Sequence, residues 1–462
     1  MTQNRFFNSV EHTFSDQVFL RKALMIAIPI ALQNMLNTIT NLVDTMMIGK
    51  LGSTAIAAVG LANKYFFVFN LLVFGVCSGS SILAAQFWGN RDLKNIRKVV
   101  GLAALIALFG AVLFFVPAFL KPELIMRIFT NSENSIEVGM RYLRLACLTY
   151  PFIALSNVIV AMMRAINKVK TPVVTSLIAI LINICLNYCL IFGNFGFPEL
   201  GVAGAAIGTL VARIVELLLL IIVMYGPKCP LRAHPRELFG WHRDFLRSFL
   251  LHASPVIANE FMWGLGTTLY SVAYGRMGDD AVAAITIATT IQDIVIVLWA
   301  GLSAATAVIL GNELGAGRSE RAEDYSVKFF TLSFVLSFFA MALIFVIRWP
   351  LIGIYNITPE VAQNVSLCLL VFIAYVIPKM YNYILVVGVL RSGGDTRMCL
   401  FLDTSGVWFI GVPLAFLGAL VWHLPIYGVY ALVLSEEIYK MILGTWRYRQ
   451  KKWLRNIALE VK

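Results

Sequence analysis

The stretch Pro29–Leu61 reads PIALQNMLNTITNLVDTMMIGKLGSTAIAAVGL. It is apolar over most of its length. Gln33, Asn37, Asn41 and Asp44 nevertheless recur at spacings of 4, 4 and 3, which sets them on one face of a helix. Adding 226 to its residue numbers lays the stretch, without a gap, on Pro255–Ile287. Pro29 then falls on Pro255, Gly49 on Gly275, Gly52 on Gly278, Ala55 on Ala281 and Ala62 on Ala288. Further along, Gly75 falls on Gly301 and Gly89 on Gly315. An offset of 227 pairs Pro151 with Pro378, Arg164 with Arg391 and Gly201 with Gly428. Alanines match by chance in such sequence; Gly and Pro held in one register over about sixty residues do not. The chain is an internal duplication.

Around this repeat the composition is that of a membrane protein. Of 462 residues, 59% are hydrophobic and 13% charged, with a mean hydropathy of +0.80. Soluble domains carry roughly 45–50% apolar and about 25% charged residues. A membrane helix needs roughly 20 apolar residues. Long apolar runs give twelve: Val18–Ile48, Ala55–Ala85, Val99–Leu120, Val138–Met163, Val173–Phe192, Val202–Tyr225, Phe249–Tyr274, Ala281–Leu310, Phe329–Val346, Val361–Val389, Leu400–Val421 and Ile426–Thr445. None alternates as an outer-membrane strand would. The first run is too long for a removable signal peptide. The seven cysteines form no CxxC and read as small packing residues.

Twenty-six of the 37 Lys and Arg fall in the termini and the loops on one side, and five in the opposite loops. Both termini are therefore expected in the cytoplasm, and the net charge of +12 belongs to that face rather than to nucleic-acid binding. Six spans per half make the repeat parallel, the plan of a transporter whose two bundles alternate access to a central cleft. The expected fold is an all-α polytopic membrane protein of twelve transmembrane helices in two pseudo-symmetric six-helix lobes. The lobes are 1–225 and 248–446, with a Pro- and Arg-rich cytoplasmic linker at 226–247 and a basic tail at 447–462.

A charge at mid-bilayer costs at least about 2.5–3.5 kcal/mol, so buried ionisable groups have a function or a partner. Asp44, Glu260 and Asp293 are the deepest, and Lys379 lies nearer a span end. The stripe Gln33, Asn37, Asn41 and Asp44 should face a wet cavity. By register Glu260 replaces Asn34, and a carboxylate there can couple an ion to a conformational change or pair with Lys379 or Arg276. Asn183 and Asn187, four apart, share a helix face and with the first-span stripe could offer oxygens to a small cation.

The run Pro29–Leu61, the segment Asn183–Thr209 ending LIFGNFGFPELGVAGAAIGT, and Leu390–Thr396 (LRSGGDT) resemble the multidrug and toxic compound extrusion (MATE) transporters over nearly the whole chain. The resemblance implies export of organic cations in exchange for H+ or Na+. Asp44 matches the first-helix aspartate of the N-terminal lobe. Asn183, Asn187 and Thr209 match the polar positions around it, together a place for Na+. Glu260 matches the seventh-helix glutamate of the sodium-coupled branch. That branch also has a tenth-helix aspartate, where this chain offers Met380 beside Lys379, so that Lys379 could neutralise Glu260.

The expected function is a secondary antiporter of amphiphilic, cationic compounds. It would act as a monomer in the plasma membrane of a prokaryote, without a cofactor, and Gln33, Asn37, Asn41, Asp293 and Lys379 would line its cavity. A lipid-linked precursor flippase of the same superfamily is the alternative, kept open by Lys64, Arg213 and Lys379. An enzyme is not expected, since there is no HExxH and no GxxxxGK[ST].

Overall fold

The computed structural model describes residues 10–227, 229–355 and 357–460, and among them there is no strand. Ten helices are long and apolar enough to cross a bilayer. Two more complete the expected twelve. The seventh span is one helix, Arg243–Gly275, whose apolar run is diluted by His252, Asn259 and Glu260. The twelfth is broken at Ser435 into Ile426–Leu434 and Glu436–Arg449, each too short to span alone.

Most helices run beyond their apolar cores into polar turns that cap them. The third span, Leu93–Leu120, starts at Asp92, whose carboxylate accepts from the Asn95 backbone N–H at 3.1 Å. The tenth starts at Thr358 with Pro359 in its first turn. The fourth is interrupted by a 3-10 turn, Cys147–Thr149, just before Pro151. The sequence reading missed a short amphipathic helix, Pro122–Phe129, and one turn of helix in the linker, Pro235–Leu238. It also missed π-helical turns at Tyr383–Leu390 in the tenth span and at Gly406–Gly411 and Leu417–Val421 in the eleventh. Large apolar side chains stand outward, Phe109 71% and Phe409 78% exposed, a surface suited to hydrocarbon rather than water.

The duplication is written into the backbone. Gly52 and Gly278, 226 apart, open the second and eighth spans at φ 108°, ψ 171° and φ 104°, ψ 170°. Arg91 and Gly317 repeat a left-handed turn at φ 58° and 74°. Asn167 and Gly394, 227 apart, do the same at 62° and 75°.

Packing divides the chain into two compact units: Leu32–Ile257, and Ala258 onward together with the chain up to Ala31. This differs from a division at the linker by the opening turns of the first and seventh spans, which each half lends to the other. Glycine explains the exchange. In the N-terminal unit a Cβ on Gly75 would stand 2.7 Å from Ile257 Cα, and one on Gly79 2.7 Å from Ala253 Cα. In the C-terminal unit a Cβ on Gly301 would stand 2.6 Å from the Ala27 carbonyl oxygen. There Phe19 packs edge-on to Phe329 at 4.9 Å, and Lys22 pairs with buried Glu313 at 2.9 Å. Each crossing follows a proline within the helix, Pro29 or Pro255, which frees a carbonyl of the ladder.

Candidate ion and substrate site

In the N-terminal unit the fifth and sixth spans, Lys170–Phe192 and Val202–Tyr225, touch through backbone. A Cβ on Gly204 would stand 2.6 Å from the Leu190 carbonyl carbon, and one on Gly208 would strike Asn187 Oδ1. That approach presses the asparagine face of the fifth span onto Thr209. Asn183 Nδ2 donates to Thr209 Oγ1 at 3.1 Å. Asn187 Nδ2 donates to Asp44 Oδ1 at 2.8 Å and more weakly to Asn183 Oδ1 at 3.4 Å. The structure thus brings Asp44, Asn183, Asn187 and Thr209 into one cluster. Asp44, Asn183 and Thr209 border a cavity of about 440 Å³, whose wall also includes Asn41, Phe66 and Arg213; Asn187 lies behind them.

The cluster offers oxygens only, a chemistry suited to a proton or a small hard cation. Asn187 Oδ1 is buried and has no hydrogen-bond partner, an acceptor left over beside a carboxylate. Among the described residues no group of three or more His, Cys, Asp and Glu is placed to hold a metal ion. Asp44, Asn183, Asn187 and Thr209, the four expected to take Na+, are the oxygen-bearing side chains of this one cluster.

The rest of the first-span stripe parts company with Asp44. Gln33 is buried in a separate network, accepting from Arg164 Nη2 at 2.6 Å and donating to Ser176 Oγ at 2.8 Å. Ser176 donates to Glu216 Oε1 at 2.8 Å, and Arg213 holds the other oxygen of Glu216 at 2.7 Å. Asn37 is exposed and does not border the cavity, whereas Asn41 does.

In the C-terminal unit Glu260 pairs with Arg391 at 2.9 Å, and both are buried. This corrects the expected pairing with Lys379 or Arg276: Arg391 reaches Glu260 from the end of the tenth span, while Lys379 instead lies in electrostatic reach of Asp293. Met380 is buried at the expected tenth-span position, but a second carboxylate comes from elsewhere. Asp403 of the eleventh span accepts from Asn259 Nδ2 at 2.8 Å and lies 3.9 Å from Lys440.

Sequence reasoning passed over Ser176, Glu216, Asp403 and Glu436 as site residues. The repeat offsets were the signal that could have found most of them. Ser176 falls on Asp403, Thr209 on Glu436, Arg213 on Lys440 and Asp44 on Tyr270. The bond from Gln33 to Ser176 recurs as that from Asn259 to Asp403.

Twelve apolar helices built as a parallel duplication, with Asp44 and several asparagines around a cavity, define a polytopic membrane transporter. The family model described as MatE matches residues 29–189 and 255–417, more than half the chain, so the protein belongs to the MatE family. It is 23% identical to "Uncharacterized transporter YisQ" of Bacillus subtilis, over 89% of this chain and 90% of that one. It is 24% identical to "Probable multidrug resistance protein NorM" of Thermotoga maritima, over 95% and 94%. Among solved structures, "Crystal structure of MATE in the bent conformation" superposes with a TM-score of 0.86 at 19% identity, covering 96% of this chain and 97% of that one. The relatives are transporters, and this chain is a transporter rather than an enzyme.

Proposed function

We propose that the protein is a secondary antiporter that exports amphiphilic organic cations in exchange for H+ or Na+, by alternating access of its two halves. The observation that carries this reading is Asp44, a carboxylate on the wall of a 440 Å³ cavity that also presents the Phe66 ring. A carboxylate beside an aromatic wall attracts flat cations by charge, apolar contact and cation–π attraction. The same carboxylate can hold a proton or Na+, so cargo and coupling ion compete for it. Relatives named as multidrug resistance proteins support the cargo class. The segregation of Lys and Arg supports cytoplasmic termini in the plasma membrane of a prokaryote.

The flippase alternative needs an excess of cationic groups for a phosphate. Of the three cations that kept it open, Arg213 is ion-paired to Glu216, which weakens its support. The test is transport into inverted vesicles with H+ and Na+ gradients imposed separately. One gradient should drive uptake of an organic cation and Asp44→Asn should abolish it; wild-type uptake in that variant overturns the assignment.

A further inference from the structure

A second group of buried ionisable side chains lies in the C-terminal unit around the twelfth span. Glu436 Oε1 takes Lys440 Nζ at 3.0 Å, and its Oε2 accepts from the Tyr270 hydroxyl at 2.6 Å. Lys440 also faces Asp403 at 3.9 Å. Glu437 accepts from Asn382 Nδ2 at 2.9 Å, and the same Nδ2 lies 2.7 Å from the Glu437 carbonyl oxygen. Asn382 Oδ1 is buried with no partner. Tyr274 of the seventh span, Cys368 of the tenth and Tyr430 of the twelfth complete the titratable groups around the two glutamates.

The charges do not balance. Arg391 pairs with Glu260 and lies in electrostatic reach of Asp403, and Lys440 pairs with Glu436 and faces Asp403, so two cations stand among the four carboxylates Glu260, Asp403, Glu436 and Glu437. Glu437 forms no ion pair among the described residues, though Lys440 lies in electrostatic reach. Carboxylates left uncompensated at this depth cost several kcal/mol each, roughly, unless they take up a proton or a cation. The ammonium of Lys440 already lies between Glu436 and Asp403, 3.0 and 3.9 Å from them.

The backbone around the cluster is built to admit it. A Cβ on Gly411 would stand 2.7 Å from Glu436 Oε2 and strike the Tyr270 hydroxyl, and one on Gly406 would stand 2.6 Å from Lys440 Cε. These glycines bound the π-helical turn Gly406–Gly411, and Asn382 precedes the turn Tyr383–Leu390. Such turns are frequent at functional sites. By repeat register Tyr270, Glu436 and Lys440 stand where the N-terminal unit has Asp44, Thr209 and Arg213. The acid has moved from the first helix of the half to the last.

We propose that Glu436 and Glu437 together hold one exchangeable proton, a second proton-binding site separate from Asp44. The register argument rests on the reading of Asp44 given above, but the charge count does not. Infrared difference spectra of the full-length protein in lipid nanodiscs, taken between alkaline and acid buffer, read the carbonyl stretch of protonated carboxyls. A band gained by the wild type should be lost in Glu436→Gln and in Glu437→Gln and kept in Asp44→Asn, whatever Asp44→Asn does to transport. Lys440→Gln should add a further band, because Glu436 then loses its ion partner. Loss in both glutamine variants supports the proposal; a band kept in either overturns the shared site. Should the glutamine variants fail to fold, Glu437→Asp decides: a displaced band supports the shared proton, and an unmoved one overturns it.

Discussion

Asn187 donates its amide N–H to Asp44 at 2.8 Å while the oxygen of the same amide, fully buried, meets no partner. The N–H steadies the charged carboxylate, and the oxygen remains as a ligand for whatever replaces that charge. A hydrogen bond to a charged group contributes about 1.5–3 kcal/mol. Asn187→Ala removes both the donor that steadies the ion-free carboxylate and the oxygen beside it, and is expected to shift the half-saturating ion concentration by about tenfold or more. The measurement is the ion concentration giving half-maximal transport in proteoliposomes. An unchanged half-saturation would show that Asn187 only packs.

Gly75 and Gly301 are tested by adding one carbon. Gly75→Ala meets Ile257 backbone at 2.7 Å, and Gly301→Ala meets the Ala27 carbonyl at 2.6 Å, neither of which can swing aside. Overpacking of this kind costs about 1–3 kcal/mol. Gly60, whose added Cβ would meet nothing within 4 Å, is the control. Thermal unfolding in detergent should show both Gly75→Ala and Gly301→Ala melting below wild type, with Gly60→Ala close to it.

The parts of this architecture that depend on short-range pattern were legible in the sequence. Twelve apolar runs, the Gly and Pro register and the helical spacing of Asn41 with Asp44 needed only periodicity. The partner of Glu260 was not legible, because Arg391 lies 131 residues away and reaches it only through the close of the tenth span. The parting of Gln33 from Asp44 was hidden as well. Both lie on one helix face, but the helix passes Arg164 and Ser176 before it reaches the cavity. The π-helical turns leave no mark in residue type, since Tyr383–Leu390 reads as ordinary apolar helix.

The corrected pairing separates two lysine and arginine variants that the sequence alone would treat alike. Glu260→Gln removes a charged partner from buried Arg391 and should cost about 2 kcal/mol of stability. Arg391→Gln should be at least as damaging. Lys379→Gln leaves that pair intact and should melt within about 0.5 kcal/mol of wild type. Thermal unfolding of the three variants checks this, and a Lys379→Gln loss equal to that of Glu260→Gln would restore the earlier pairing.

Asp16, just ahead of the first span, ties the opening turn of the chain to the ninth. Its carboxylate accepts from Lys328 Nζ at 2.7 Å and from the Phe19 backbone N–H at 2.9 Å, and Lys328 also holds Asp324 at 2.7 Å. The Lys328 hydrogen bond, helped by the Phe19 N–H, holds the Asp16 carboxyl below the usual carboxylate range. A depressed folded-state value means that the unfolded chain binds this proton more readily. The stabilisation is then fully present above the ordinary aspartate range and fades as pH falls through the folded value. Asp16→Asn should therefore lower the melting temperature at neutral pH, and its gap from wild type should narrow on acidification. Unfolding followed at a series of pH values measures that gap, and a gap that widens toward acid would contradict the sign.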